Sequence, residues 1–229
     1  MKNKIMLAVN LAIVSAILVM NYFYQSNGFD FTLKCICSAS FATLGIINLC
    51  YALATKQKEI RFYVSMAIGL VLAFLGDVLI GYDFIIGAGT FALGHVFFVV
   101  AYCFMQKFGK WDWIFSALLF AGAAIFLLCC PLLSFEVPVF KIVCIVYALI
   151  ISLMLGKAIG NFVTERNAVT GTMAIAGALF FFSDLMLVFD RFIGLWDWTS
   201  NACMGTYYPA LCLLAFSMFL RMMRSKKTA

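Results

Sequence analysis

Two aspartates interrupt the most apolar parts of this sequence. Asp77 lies inside the run "AFLGDVLIG", and Asp184 lies inside "FFFSDLMLVF". A carboxylate that faces lipid is costly, so both side chains are expected to face the interior of a helical bundle. Two carboxylates in one cavity titrate as a coupled pair and can share one proton near neutral pH. One can then act as a general acid and the other as a general base or as the stabiliser of a cation.

Three further charged or titratable side chains are expected near this pair. His95 lies deeper, near the middle of the membrane, either as a packing residue or as a partner of the aspartates. Lys34 and Lys141 enter at the outer level of the aspartates. Pairing with an aspartate and snorkelling to the membrane surface both stay open for them. A cavity at this depth, near the glycerol region of a phospholipid, favours an amphiphilic substrate with a polar head and a single chain.

The sequence predicts neither a metal site nor a cofactor. His95 is the single histidine, which excludes a site built from several histidines. The nine cysteines lie mostly in apolar segments, where they are expected to pack. The net charge of +6 does not indicate a nucleic-acid partner, because Lys and Arg cluster in short loops and at the termini.

The composition predicts the elements that position these residues. Hydrophobic residues make up 66% of the 229 residues, charged residues only 11%, and the mean hydropathy is +1.07. A soluble domain of this size could not cover its surface with so little charge. We therefore expect an all-α integral membrane protein with a single polytopic domain, residues 1–229. Eight apolar runs are long enough to cross a bilayer: 5–24, 33–54, 63–81, 84–105, 113–131, 137–156, 169–189 and 201–220.

The positions of the basic residues predict the orientation. All but three of the 16 Lys and Arg residues fall on the side that carries both termini, the exceptions being Lys34, Lys141 and Arg191. The positive-inside rule therefore predicts cytoplasmic termini. A bacterial inner (plasma) membrane is the expected location, with the endoplasmic reticulum as the eukaryotic alternative. Four aromatic residues are expected to form the interfacial belt: Tyr82, Tyr102, Tyr207 and Trp196.

Rare charged residues recur at a constant spacing, which predicts an internal duplication. The following pairs are separated by the same number of residues: Asp77 and Asp184, Asp83 and Asp190, Lys34 and Lys141. We expect two parallel four-helix halves, about residues 1–110 and 111–229, with helices 3 and 7 as counterparts. A pseudo-two-fold axis would then bring the two deep aspartates face to face. Asp83 and Asp190 would lie at the rim.

Three segments resemble a known family. The segments "FLGDVL", "FALGHVFFVVAY" and "GALFFFSDLMLVFDRF" are similar to YhhN-like membrane proteins, a family that includes lysoplasmalogenases. The resemblance covers nearly the whole chain and implies an eight-helix enzyme. It implies hydrolysis of the vinyl ether bond of lysoplasmalogens, with an ethanolamine or choline head. The products would be a fatty aldehyde and a glycerophospho-base, and the partners a lysophospholipid substrate and the lipid bilayer.

The motifs of this family can be placed on the chain position by position. Its G-D, G-H and S-D pairs fall on Gly76-Asp77, Gly94-His95 and Ser183-Asp184, and its lysine at the start of helix 2 falls on Lys34. Three positions depart from the pattern. They are Cys35 in place of a proline, Phe98 in place of a tyrosine, and Leu211 in place of a polar residue.

The residues together predict acid–base chemistry on a vinyl ether. Slow proton transfer to carbon needs a positioned acid, and a nearby carboxylate stabilises the oxocarbenium ion that follows, as in glycosidases. Asp77 and Asp184 are predicted to be the acid and the base, in either order, and His95 to position one of them or the water. The predicted substrate-binding residues are Lys34 and Lys141, at the head-group phosphate, with Asp83, Asp190 and Ser183.

A proton-coupled transporter of a small or amphiphilic solute is the main alternative. Duplicated halves with facing acidic residues suit a carrier. Against it, the carboxylates lie towards one leaflet, and Pro131, Pro138 and Pro209 are all expected near helix ends. An intramembrane aspartyl protease is disfavoured, because its G-x-G-D motif is not in the sequence.

Overall fold

The computed structural model describes residues 2–135, 137–194 and 198–225, which form eight α-helices and no strand. The helices are α1 (Lys2–Ser26), α2 (Phe31–Ala54), α3 (Ile60–Leu79), α4 (Phe84–Met105), α5 (Lys110–Cys129), α6 (Pro138–Thr164), α7 (Ala168–Phe192) and α8 (Trp198–Ser225). Each is long and apolar enough to cross a membrane. The protein is therefore an all-α integral membrane protein, as its composition predicts.

The predicted spans are accurate for α4 and too short for α6. Helix α6 continues past residue 156, where the charge of Lys157 suggests a loop. Lys157 and Asn161 are buried inside the helix instead. Lys157 Nζ donates to Asp112 Oδ2 at 2.8 Å, and Asn161 Nδ2 donates to the carbonyl of Tyr102 at 3.3 Å. Polar side chains that find partners inside the protein do not end a helix.

Side-chain caps determine where three helices begin. Asp30, Asp83 and Asn167 accept hydrogen bonds from backbone N–H groups in the first turns of α2, α4 and α7. Such caps satisfy N–H groups that have no partner within the helix. Asp83 is therefore an exposed helix cap at the rim of the bundle.

The packing order leaves one helix at the edge. Helix α8 packs against α1, α2, α3 and α7, and α3 also packs against α2 and α4. Helix α6 packs against α4, α5 and α7. Helix α5 packs mainly against α6 and touches α7 through the rings of Phe126 and Phe189, whose centroids lie 5.2 Å apart. Because the backbone of α5 lies close to α6 alone, a cavity remains between α4, α5, α6 and α7.

Glycines bring α3 and α4 close together. A Cβ atom on Gly94 would lie 3.2 Å from the carbonyl oxygen of Gly69. A Cβ atom on Gly76 would lie 2.8 Å from the ring of Phe91. The glycines of the G-D and G-H motifs therefore serve the packing of α3 against α4, whereas Asp77 and His95, which follow them, contact other helices.

A GxxxG segment brings α5 against α6. Gly156 and Gly160 are four residues apart on α6 and face α5. Cβ atoms on these glycines would overlap Ser116 and Asp112. Lys157, which is fully buried, forms an ion pair with Asp112 between the same helices. Close backbone contact and a buried ion pair together hold α5 in place.

The two lysines of the predicted duplication occupy equivalent places in their helices, whereas the aspartates do not. Lys34 and Lys141 each lie in the first turn of their helices, α2 and α6. Helix α3 ends within one turn of Asp77, whereas α7 continues for about two turns beyond Asp184. Asp190 therefore lies in the last turn of α7 rather than in a rim loop. The duplication and the orientation in the membrane stay predictions.

Two tyrosines that were predicted to lie in the interfacial belt are buried instead. Tyr102 and Tyr207 are 0% and 3% exposed, whereas Tyr82 is 79% exposed. Trp196 lies outside the described residues. Tyr207 faces inward because its hydroxyl group binds the carboxylate of Asp77.

Pro209 lies inside α8 and not near a helix end, so that prediction is wrong. Proline has no N–H group, so a proline inside a helix leaves the carbonyl group one turn earlier, here that of Gly205, without its usual donor. Packing against neighbouring helices makes such breaks tolerable within a membrane. Tyr207 and Tyr208 directly precede the break.

Two ion pairs hold the end of α8 at the side of the bundle opposite the aspartates. Arg221 pairs with Glu59, just before α3, and Arg224 pairs with Glu165, just after α6. Gln106 also donates to Glu165, at 3.2 Å. The hydrogen bond from Arg224 is the main reason that the pKa of Glu165 is lower than usual.

We expect Glu165→Gln to lower thermal stability slightly at neutral pH and not at all in acid. A carboxyl group with a lowered pKa stabilises the fold above its ordinary pKa, and this stabilisation is lost as the pH falls through the lowered value. Because both side chains are substantially solvent-exposed, the loss should stay below about 1 kcal/mol. Thermal midpoints of both proteins in detergent, measured from neutral to acidic pH, test this. A difference that persists unchanged in acid contradicts the assignment.

Candidate active site

Asp77 lies in the last turn of α3 and is almost completely buried. Its Oδ2 accepts hydrogen bonds from Ser38 Oγ at 2.6 Å and from Tyr207 OH at 2.7 Å. Lys34 Nζ lies 3.5 Å from its Oδ1. Asp77 therefore has a cationic partner and two hydroxyl donors, which together compensate a buried negative charge.

A second layer of hydrogen bonds fixes these partners. Tyr208 OH lies 3.2 Å from Ser38 Oγ and donates to the carbonyl of Lys34 at 3.3 Å. Tyr208 is fully buried. The Asp77 cluster, defined as Asp77, Lys34, Ser38, Tyr207 and Tyr208, thus joins α2, α3 and α8 in one network.

Asp184, in α7, has a different set of partners. Tyr147 OH donates to its Oδ2 at 2.8 Å, and His95 Nε2 lies 2.8 Å from the same hydroxyl group and 3.6 Å from Oδ2. The tautomer of His95 decides which of the two atoms donates in the contact between Nε2 and the Tyr147 hydroxyl group. The other ring nitrogen, Nδ1, lies 3.2 Å from the sulfur of Met154. The Asp184 cluster, Asp184 with Tyr147 and His95, is a chain of hydrogen bonds from the imidazole to the carboxylate.

An aromatic side chain separates the two clusters. The ring of Phe180 packs 4.6 Å from His95 and 5.3 Å from Tyr207, centroid to centroid. Among the described residues, no hydrogen-bonding group contacts both Asp77 and Asp184. The sequence predicts one shared carboxylate pair, and the contacts instead divide the two aspartates between two clusters.

An apolar cavity of about 440 Å³ lies between α4, α5, α6 and α7. Asp184 and Tyr147 lie on its wall, beside Ala88, Leu119 and Val188. Its lining on α5 includes two small residues, Gly122 and Ala123. The cavity exists because α5 packs mainly on α6, and its volume falls in the range of ligand pockets.

A polar cavity of about 400 Å³ adjoins the apolar one at the rim. Its charged lining residues are Lys34, Asp190 and Arg191. Three apolar residues line both cavities: Ile80, Phe84 and Leu187. An amphiphilic ligand could therefore place its polar end beside Lys34 and its chain beside Asp184.

Other predicted site residues lie elsewhere. Ser183 is buried with its hydroxyl group 3.4 Å from Cys203 Sγ, at the contact between α7 and α8. Asp83 caps α4. Lys141 makes no ion pair within the described part of the chain, and neither cavity is lined by it. Asp190 accepts hydrogen bonds from Ser200 and Thr199 at the start of α8.

Sequence reasoning missed the three hydroxyl groups that bind the aspartates directly. Ser38 follows Lys34 by one helical turn, a spacing that puts both on one face of α2 and could have been noticed. Tyr147 lies inside an apolar run, where a phenol needs a hydrogen-bond partner. Tyr207 was assigned to the interface because aromatic residues near span ends usually lie there.

The arrangement suits proton transfer rather than metal chemistry. Within the described residues, no group of three His, Cys, Asp or Glu side chains could hold a metal ion. Asp184 offers a carboxyl group to an apolar cavity, and the hydrogen-bonded chain behind it can exchange a proton.

Comparison with known protein families matches residues 37–218 to the YhhN family. The chain belongs to this family. The match includes both aspartates, His95, Tyr147 and Tyr207, whereas Lys34 lies just before it. Searches of curated proteins and of solved structures found no match. Membership of the YhhN family is consistent with a hydrolase of the lysoplasmalogenase type.

Proposed function

We propose that the protein is a lysoplasmalogenase, which hydrolyses the vinyl ether bond of lysoplasmenyl-ethanolamine or -choline. The observation that carries the proposal is the position of Asp184. Its carboxyl group lies on the wall of an apolar cavity and at the end of a hydrogen-bonded chain from Tyr147 and His95. Family membership supports the reaction class, and the adjoining polar cavity supports an amphiphilic substrate.

Asp184 is the proposed general acid. Its Oδ2 accepts from Tyr147, which leaves Oδ1 to carry the transferable proton. Asp77 has a lysine partner, whereas the partners of Asp184 are a phenol and an imidazole. A neutral carboxyl group therefore suits the apolar wall better than an unpaired carboxylate does. The proton goes to the vinyl carbon that is not bonded to oxygen.

The remaining steps use the same carboxylate. Protonation leaves an oxocarbenium ion, which the Asp184 carboxylate stabilises as in glycosidases. Water then adds to this ion and gives its proton back to Asp184. The hemiacetal collapses to the fatty aldehyde and the glycerophospho-base. Tyr147 and His95 keep the carboxyl group oriented and can pass its proton along the chain of hydrogen bonds.

Asp77 has a different proposed role from the predicted one. It contacts Lys34, Ser38 and Tyr207, and the apolar cavity is lined by Asp184 and not by Asp77. We assign it to positioning Lys34 rather than to the proton transfer. In this proposal Asp184 alone transfers the proton, and Asp77 positions Lys34, in place of the acid–base pair that the sequence predicts.

The size of the cavity supports a single-chain lipid. At about 440 Å³ it lies towards the lower end of the range for ligand pockets, which favours one hydrocarbon chain over two. The substrate would enter from the bilayer itself. A bacterial plasma membrane is the proposed location, with the endoplasmic reticulum as the eukaryotic alternative.

The test is release of free aldehyde from lysoplasmenylethanolamine by the purified protein in detergent, followed by mass spectrometry. The saturated alkyl ether analogue is the control, since it has no vinyl group to protonate. Aldehyde from the vinyl ether alone supports the proposal. A folded, monodisperse protein that releases none contradicts it, and counterflow of the intact lipid in proteoliposomes would then favour the transporter.

A further inference from the structure

We propose that the polar cavity binds a zwitterionic phosphodiester head group, with the phosphate between Lys34 and Arg191 and the ammonium group at Asp190. The inference rests on the proposed function, because it places the head of the same lysolipid whose chain lies beside Asp184. It adds Arg191 to the site and removes Lys141 from it.

Lys34 is held in place for this role. Its side chain is only 14% exposed, and its Nζ lies 3.5 Å from Asp77 Oδ1. One ion pair leaves further N–H donors on the ammonium group, which has three. The backbone carbonyl of Lys34 accepts from Tyr208. Lys34 is thus a partly buried cation that is anchored on one side and lines the polar cavity on the other.

Arg191 supplies the second cation. Its guanidinium carbon lies 5.8 Å from the centroid of the Phe84 ring, which lines both cavities. This cation–π contact holds an exposed side chain over the cavity wall. Arginine presents its donors in a planar fork that matches two phosphate oxygens.

Asp190 accounts for the zwitterionic preference. Ser200 and Thr199 both bind its Oδ1, at 2.5 and 3.2 Å, which fixes the carboxylate at the cavity. A head group that carries only a phosphate would leave the negative charge of Asp190 without a cationic partner in the ligand. A head group that also carries an ammonium group can pair with both signs of charge in the cavity.

The two cavities adjoin each other where the glycerol backbone would lie. Ile80, Phe84 and Leu187 line both of them. In a lysoplasmalogen the glycerol unit separates the ether oxygen from the phosphate. A molecule that spans this shared wall therefore presents its ether to Asp184 while its phosphate reaches Lys34 and Arg191.

The experiment is a binding measurement with ligands that cannot react. The full-length protein in nanodiscs is titrated with the saturated alkyl lysophosphoethanolamine, with its analogue lacking ethanolamine, and with the alkylglycerol lacking phosphate. Soluble glycerophosphoethanolamine is the fourth ligand. The variants are Arg191→Gln, Lys34→Gln, Lys34→Arg and Asp190→Asn, and Lys141→Gln is the matched control because Lys141 lies at the equivalent helix start outside the cavities.

We expect Arg191→Gln and Lys34→Gln each to weaken binding of the two phosphate-bearing lipids about tenfold or more. Neither should affect the alkylglycerol, and Lys34→Arg should bind nearly normally. Asp190→Asn should remove the preference for the ethanolamine head, and Lys141→Gln should change nothing. If Lys34→Gln does not fold, Arg191→Gln and Lys34→Arg still decide the outcome.

Three results overturn the inference. They are an Arg191→Gln protein with normal affinity, a Lys141→Gln protein that is equally impaired, and soluble glycerophosphoethanolamine that binds as tightly as the lipid. Because these ligands are not hydrolysed, the outcome is independent of the reaction. If the expected binding pattern is seen without aldehyde release, the head-group site stands and the proposed enzyme activity is rejected. If aldehyde is released but the variants bind the lipids with normal affinity, the enzyme activity stands and the head-group site is rejected.

Discussion

Asp184→Asn is expected to abolish release of fatty aldehyde while the protein stays folded. Asparagine has nearly the same shape as aspartate and can still accept the hydrogen bond from Tyr147, but it cannot donate a proton to carbon. Removing a positioned general acid typically slows turnover about 10²–10⁴-fold. The measurement is aldehyde formed per minute, with the thermal midpoint in detergent as the check on folding.

Substitution of Tyr147, which binds Asp184, should cause a smaller loss of turnover. Tyr147→Phe should keep the acid but lose its orienting hydrogen bond, for an intermediate loss of roughly ten- to hundredfold. Asp30→Asn is the control: it removes a carboxylate at the same end of the bundle, and asparagine caps α2 equally well. A fully active Asp184→Asn protein contradicts the assignment of the acid, whatever the other variants do.

Gly160→Ala is expected to be strongly destabilising at the contact of α5 with α6. An added Cβ would overlap Asp112 Oδ1 and displace the carboxylate from Lys157, which is fully buried. Breaking a buried ion pair costs on the order of 3–5 kcal/mol, because one charge stays behind without its partner. The thermal midpoint in detergent should fall by many degrees, and the apolar cavity beside α5 should lose its shape.

Gly89→Ala is the matched control for this experiment. A Cβ on Gly89, in α4, would meet nothing within 4 Å. Alanine is a better helix former than glycine, so this variant should be neutral or slightly more stable. Equal midpoints for Gly160→Ala and Gly89→Ala would show that the contact is looser than the GxxxG geometry indicates.

Much of the fold could be predicted because the bilayer limits the possible structures. Apolar runs of sufficient length must form helices, so eight spans followed from hydropathy alone. The end of α6 could not be predicted, since Lys157 signals a loop unless its partner Asp112 is known. The last three residues of α7, 190–192, were missed for a similar reason, because Asp190 finds its partners on α8.

The site could be predicted only in part, because hydropathy identifies unusual residues but not their neighbours. The aspartates and His95 stand out as polar groups within apolar runs, and His95 does lie beside Asp184. The division into two clusters depends on which helix lies next to α3 and α7, and on the ring of Phe180 between them. Such contacts are long-range in sequence, and no local pattern reports them.

The most direct measurement is aldehyde formation from lysoplasmenylethanolamine in D₂O, with mass spectrometry of both products. If a protein carboxyl group protonates the vinyl carbon, the fatty aldehyde should carry a single deuterium on the carbon next to the carbonyl. It should form in equal amount with glycerophosphoethanolamine, and Asp184→Asn should give neither product. Preformed aldehyde in the same buffer controls for exchange. A folded wild-type protein that yields no aldehyde, or aldehyde without deuterium, would contradict the account.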